Sequence, residues 1–227
     1  MYEELEEALH VHFQNPALLT MALTHRSYIY EPPGMNEHSN ERLEFLGDSI
    51  LQFISTNFLY HAFSYLNEGD MSNVRTALIR EETLADFARE LHLNSFLRLG
   101  RGDQTSATSQ RVLASTFEAV LGAIYLDQGL EVVEHVLLPR LEPIARHIVS
   151  KRLFKDNKSL LQEFAQAHDG ITPSYRIVSQ EGPSHNREFT AEVLLGEQIV
   201  GRGHGRNKQT AEQDAARAAL ISRGWLE

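Results

Sequence analysis

The stretch NERLEFLGDSILQFI at residues 40–54 decides how the first half of the chain is read. Wound as a helix at about 100° per residue, it places Glu41, Glu44 and Asp48 within an arc of roughly 60°, while Leu43, Leu46 and Ile50 point to nearly the opposite side. Three carboxylates share one stripe. Like charges at these spacings destabilise an isolated helix, so helix stability is no reason for the pattern. A divalent cation is one: Mg²⁺ takes hard oxygen ligands, usually one or two carboxylates completed by water and phosphate oxygens. The competing reading is a solvated acidic face. Gly47, inside the same helix, costs up to about 1 kcal/mol relative to Ala and admits close approach of another backbone.

A second segment, RVLASTFEAVLGAIYLD at 111–127, predicts a helix that buries Leu113, Phe117, Val120, Leu121 and Ile124 and carries one acid, Glu118, amid its apolar residues. A carboxylate seldom sits there without a partner. Ser115, one turn earlier, falls on the same side. If this helix packs antiparallel to the first, Glu118 completes a cluster with Glu44 and Asp48; otherwise it is an amphipathic boundary residue.

Working outward, apolar residues recur at three- and four-residue spacings from residue 3 to about 150, without a clean alternating run, which predicts an all-helical unit. Breaks at Asn15-Pro16, Glu31 to Gly34, Glu68 to Asp70, Gly100 to Gly102 and Gly129 divide it into six or seven helices, and GRGDQTSATSQ at 100–110 reads as an exposed loop. The whole chain has 227 residues, 42% hydrophobic and 23% charged, proportions that support two packed domains. Zero cysteines exclude disulfides, thiolate metal sites and cysteine nucleophiles, and fit a cytoplasmic setting. Four glutamates in the first ten residues predict no secretory signal, and the polar residues that interrupt the apolar stretch from Ile50 to Leu66 predict no membrane span.

The net charge of −10 is unevenly spread. Residues 1–150 hold 10 Arg, no Lys and 21 acids, whereas residues 151–227 hold 11 basic and 10 acidic residues, including all four lysines. The basic, polar stretch KRLFKDNKS at 151–159 marks the junction, giving expected domains at 1–150 and 157–227 joined by a linker at 151–156.

Beyond the junction the pattern is helix, three strands, helix. Leu160, Leu161, Phe164 and Ala165 gather on one side of the first helix, leaving Gln162, Glu163 and Gln166 on the other. Strands are expected at 175–179, at 188–195, and as a short segment from Gln198 to Gly201; the loop EGPSHNR presents His185. The final helix starts near Asn207, whose side chain can cap it, and Ala211, Ala215, Ala218 and Ala219 allow close packing on a sheet.

These residues resemble the ribonuclease III family of double-stranded-RNA endonucleases. NERLEFLGDS at 40–49 is similar to the family signature, joined in family order by ALTHRSY at 22–28, EGDMSNVRTALIREETLA at 68–85 and LASTFEAVLGAIYLDQG at 113–129. GRGHGRNKQTAEQDAARAAL at 201–220 resembles the end of an α-β-β-β-α double-stranded RNA-binding domain. The resemblance implies a multidomain α and α+β protein, with an all-helical endonuclease domain preceding that module. It implies that Glu44, Asp48 and Glu118 are catalytic and metal-binding, with Glu41 and Glu68 matching acids of less direct role. It implies RNA contacts at Gln162, Glu163, His185, Arg206, Asn207 and Lys208, with Gln209 where a second lysine is usual. Phe45 corresponds to an interface aromatic of the family's homodimer. One departure stands out: the pattern usually reads Leu-Ala-Asp, and this chain has Ser115 at the third position, a hydroxyl in place of a metal-site acid.

The implied reaction is hydrolysis of duplex RNA to 5′-phosphate and 3′-hydroxyl ends, assisted by Mg²⁺ with Mn²⁺ as substitute and no organic cofactor, in processing of ribosomal precursors and other structured transcripts. The alternative, motivated by Ser115, is a protein of the same architecture that binds duplex RNA with weakened or no cleavage. A helical scaffold without RNA affinity is a third class, and salt-sensitive retention of duplex RNA separates it from both.

Overall fold

Apolar spacing and polar caps cut the first unit of the chain into short helices and three long ones, two of which form a close antiparallel pair. The computed structural model describes residues 2–29, 38–183 and 187–226. In chain order the helices are α1 (Glu3–Leu9), α2 (Pro16–Ala22), α3 (Arg26–Ile29), α4 (Glu41–Ala62), α5 (Glu68–Leu78), α6 (Glu81–Glu90), α7 (Gln110–Gln128) and α8 (Leu130–Ser150). Asn15 and Asn67 cap α2 and α5 by accepting from Ala17 N and Asp70 N at 3.2 and 2.8 Å. The described residues therefore hold eight α-helices before residue 151, not six or seven. The extra breaks at Leu23 to His25 and at Ile79-Arg80 contain neither Gly nor Pro, so nothing local announces them. The Glu68 to Asp70 signal is the first turn of α5 rather than a gap, and GRGDQTSATSQ winds into 3₁₀ turns over Arg101–Thr108. The expected break from Glu31 to Gly34 lies outside the described residues.

Two glycines determine how α4 meets α7. A Cβ on Gly47 would stand 1.8 Å from the Glu118 carbonyl oxygen, and one on Gly122 would stand 2.4 Å from that of Leu43. Because residue 43 faces 122 and residue 47 faces 118, the two helices run antiparallel with their backbones touching. Around this crossing, Leu43, Ile50, Leu51, Leu113, Phe117, Val120, Leu121 and Ile124 are buried, and Phe117 meets Phe87 of α6 with ring centroids 5.5 Å apart.

The second compact unit starts at Lys155, the first ending at Phe154. It comprises α9 (Asn157–Asp169), β1 (Ser174–Glu181), β2 (Glu188–Leu195), β3 (Gln198–Gly205) and α10 (Lys208–Ser222). The strands form an antiparallel sheet in the order β1-β2-β3, with Arg176 and Arg202 flanking Glu192 in register. The Glu192 carboxylate is buried under these two guanidinium groups, whose hydrogen bonds hold it below the usual carboxylate range.

β3 extends four residues beyond the expected Gly201. GRGHG reads as a loop by composition, yet Gly201, Gly203 and Gly205 alternate along the strand and all face α10. A Cβ at Gly203 would lie 2.0 Å from Ala215 N, and one at Gly205 would lie 2.5 Å from Ala211 N. Absent side chains on the strand meet methyl groups on the helix, where Ala211, Ala215, Ala216 and Ala219 are fully buried and Ala218 is half-buried. Past α10, Trp225 returns to α9, its ring centroid 5.6 Å from Phe164 and 5.3 Å from His168. Among the described residues no helix is long and apolar enough to cross a membrane.

Candidate active site

The α4 and α7 crossing brings the first group of predicted acids together. Glu118 sits where the α7 backbone presses on Gly47, next to Asp48. Burial pushes its carboxyl up to about 7, with the charges of Asp48, Glu44 and Glu81 adding to the shift. Ser115 Oγ donates to Glu44 Oε1 at 2.7 Å, spanning α7 and α4. Gln52 Nε2 donates to both Asp48 carboxylate oxygens, at 3.0 and 2.8 Å. None of Glu44, Asp48 and Glu118 forms an ion pair with a described residue.

The less direct acids have partners of their own. Glu41 accepts from Ser39 at 2.9 Å and lies 3.8 Å from Arg26, while Glu68, in the first turn of α5, accepts from Ser72 at 3.2 Å. Phe45 is 78% exposed, so it is no part of its own chain's core. Phe53 and Tyr60 are exposed as well, and with Phe45 they fall within an arc of roughly 80° along α4.

In the second unit Gln162 and Glu163 are exposed on α9, with Lys155 Nζ 2.5 Å from the Glu163 carboxylate. Arg206 and Lys208 are exposed at the start of α10. Asn207 accepts from Thr210 N at 2.8 Å, so its amide oxygen is committed to the cap. His185 lies outside the described residues.

This arrangement can be set beside known proteins. A family model described as Ribonuclease-III-like matches residues 15–144, and one described as Double-stranded RNA binding motif matches residues 157–222. The curated Ribonuclease 3 of Roseiflexus sp. (strain RS-1) is 46% identical over 222 residues, covering 96% of this chain and 94% of the relative. The chain belongs to the ribonuclease III family. Ribonuclease 3 of Oceanobacillus iheyensis is 45% identical over 221 residues, 96% of each chain. Among solved structures, the nuclease domain of ribonuclease III from Campylobacter jejuni, described for flexibility in a region involved in dimer formation, superposes with a TM-score of 0.58 at 34% identity, covering 63% of this chain and 97% of that one. Ribonuclease III enzymes are metal-dependent endonucleases acting on double-stranded RNA, and this one joins their helical nuclease unit to the RNA-binding module of the same family.

The donor set of this ribonuclease III fits a hard divalent ion. Glu44, Asp48 and Glu118 present only oxygen atoms, the donor class that a hard divalent ion takes, and burial first, then the neighbouring acids, raises the Glu118 carboxyl. Among the described residues no group of three or more Asp, Glu, His or Cys side chains is placed to hold a metal ion by itself, so an ion held here would need water and substrate phosphate oxygens to fill its shell. Two participants escaped the sequence reading. Gln52 is one of the polar residues that interrupt the apolar stretch from Ile50 to Leu66, yet its i+4 spacing from Asp48 is the spacing of a helical hydrogen-bonded pair. Glu81 reaches the field of Glu118 from α6 by tertiary packing alone, without a local signal.

Proposed function

We propose that this ribonuclease III hydrolyses double-stranded RNA with Mg²⁺ held by Glu44, Asp48 and Glu118, Mn²⁺ serving as substitute, and that it acts in the cytoplasm on ribosomal precursors and other structured transcripts. The observation that carries the reading is the half-buried Glu118 carboxyl, pushed upward by burial and two neighbouring acids from the facing helix. When bound, the ion would supply Lewis-acid polarisation of the phosphodiester and activation of water. Glu118 and Asp48 come from helices whose backbones touch at Gly47, so this close crossing positions both residues. Gln52 fixes the orientation of Asp48, and Ser115 fixes that of Glu44. Ser115 adds no negative charge, which supports weaker ion affinity than an aspartate would give.

The division of labour proposed is cleavage by residues 1–150 and duplex capture by residues 157–227, joined through 151–156. Gln162, Glu163 and His185 would meet the minor groove and its 2′-hydroxyls, while Arg206, Lys208 and the start of α10 around Asn207 would meet phosphates. Exposed Phe45, with Phe53 and Tyr60 on one side of α4, supports a homodimer through that face.

The test is cleavage of long duplex RNA by the full chain with Mg²⁺, with chelator, and with Glu118→Gln. Shortening of the RNA only by the unsubstituted chain with metal is expected, with Glu118→Gln at least about 100-fold slower. Cleavage by Glu118→Gln at the unsubstituted rate overturns the acid assignment.

A further inference from the structure

A cavity of about 360 Å³ opens beside the acid cluster, with Glu44 and Ser115 in its wall. Two guanidinium groups line it as well: Arg26, from the turn of α3, and Arg111, from the first turn of α7. The other acids of the cavity already have partners. Asp103 takes the Ser106 hydroxyl and lies 3.4 Å from His25 Nδ1, and Glu41 lies 3.8 Å from Arg26. Arg111 is exposed and makes no hydrogen bond or ion pair with a described residue.

Ser115 accounts for this. Arg111 and residue 115 are one helical turn apart, so the aspartate usual at 115 would face the guanidinium at i,i+4 spacing and pair with it. The serine gives its hydroxyl to Glu44 instead, and the guanidinium is left for another anion. A guanidinium presents a planar fork of donors that matches phosphate oxygens, and it stays charged at any working pH.

We infer that Arg111 is a phosphate-binding residue of this enzyme. Its guanidinium, with Arg26 across the same cavity, holds an RNA backbone phosphate beside the one being cleaved. The inference rests on the placement of the scissile phosphate at Glu44, Asp48 and Glu118. In its light Ser115 does two things, orienting Glu44 and keeping Arg111 available to substrate.

The experiment compares the full chain with Arg111→Gln, Ser115→Asp and Arg89→Gln, the last removing a guanidinium that pairs with Asp86 away from the cavity. Anisotropy of a labelled RNA duplex is measured in chelator across a salt series. Arg111→Gln is expected to bind about fivefold more weakly, with a log–log salt slope shallower by about one, while Arg89→Gln follows the unsubstituted chain. Ser115→Asp shows the same shallower slope, because the new carboxylate occupies Arg111. With Mg²⁺, Arg111→Gln lowers kcat/KM about tenfold and leaves the rate at saturating RNA within about threefold. Equal slopes for Arg111→Gln and the unsubstituted chain overturn the inference, as do equal losses in Arg111→Gln and Arg89→Gln. A Glu118→Gln chain that cuts normally overturns the acid assignment instead, and the binding slopes still judge Arg111.

Discussion

Glu118 carries a proton in the fold at a pH where the unfolded chain has lost it. Its carboxyl sits at about 7, against an ordinary value of 4.5. The native state thus binds more protons than the unfolded state between these values, so the contribution of this group is complete below about pH 4.5 and is lost as pH rises through about 7. Thermal unfolding in chelator is expected to show Tm falling from about pH 5 to about pH 8, with Glu118→Gln losing part of that fall. Identical pH profiles for the two chains would remove the buried-acid account. Burial acts in the same direction on a second residue. Tyr175 Oη is buried without a hydrogen-bond partner, and burial next to Glu212 and Asp156 drives its phenol well above the ordinary range. Deleting an unsatisfied hydroxyl removes a desolvation cost, so Tyr175→Phe should be neutral or raise stability by up to about 1 kcal/mol in urea titration.

The pairing of α4 with α7 shows why a poor helix former can be the right residue. Alanine at 47 improves intrinsic helix propensity by about 1 kcal/mol, yet its Cβ would be driven into the Glu118 carbonyl carbon and oxygen, at 2.6 and 1.8 Å. Backbone cannot swing aside as a side chain can, so Gly47→Ala is expected to cost at least about 2 kcal/mol net and to displace Glu118 from Asp48. Denaturant midpoints and cleavage rate should fall together; a stabilised Gly47→Ala chain would refute the close crossing. This helix pair was legible in the sequence because its signals are local: a carboxylate stripe, an opposed apolar stripe, and one acid amid buried residues of α7. Three other features were hidden. The end of β3 is written in glycines that make sense only against the alanines of α10. The α5 to α6 break has no turn residue, and Arg111 acquires meaning only when Arg26 is brought across a cavity from a distant helix. The first and last depend on a neighbour brought close by packing, which periodicity cannot report, and the break carries no local signal at all.

At the scale of the molecule, charge and packing divide along the same line. The acidic excess lies before residue 151, and each compact unit has its own set of buried apolar residues. The second set, built on Leu160, Leu161, Ala191, Val193 and the α10 alanines, is accompanied by caps from Asp156 and Asn207 within the same unit. A fragment beginning at Lys155 should therefore fold alone and retain duplex RNA with an affinity that drops steeply with salt, whereas a fragment ending at Phe154 should hold RNA far more weakly. Circular dichroism and anisotropy check both expectations, and an unfolded C-terminal fragment would refute the first. The seat of Trp225 against Phe164 and His168 has an optical corollary. It is the sole indole in the chain, so emission excited near the red edge of protein absorbance watches the smaller unit melt while the nuclease unit stays dark.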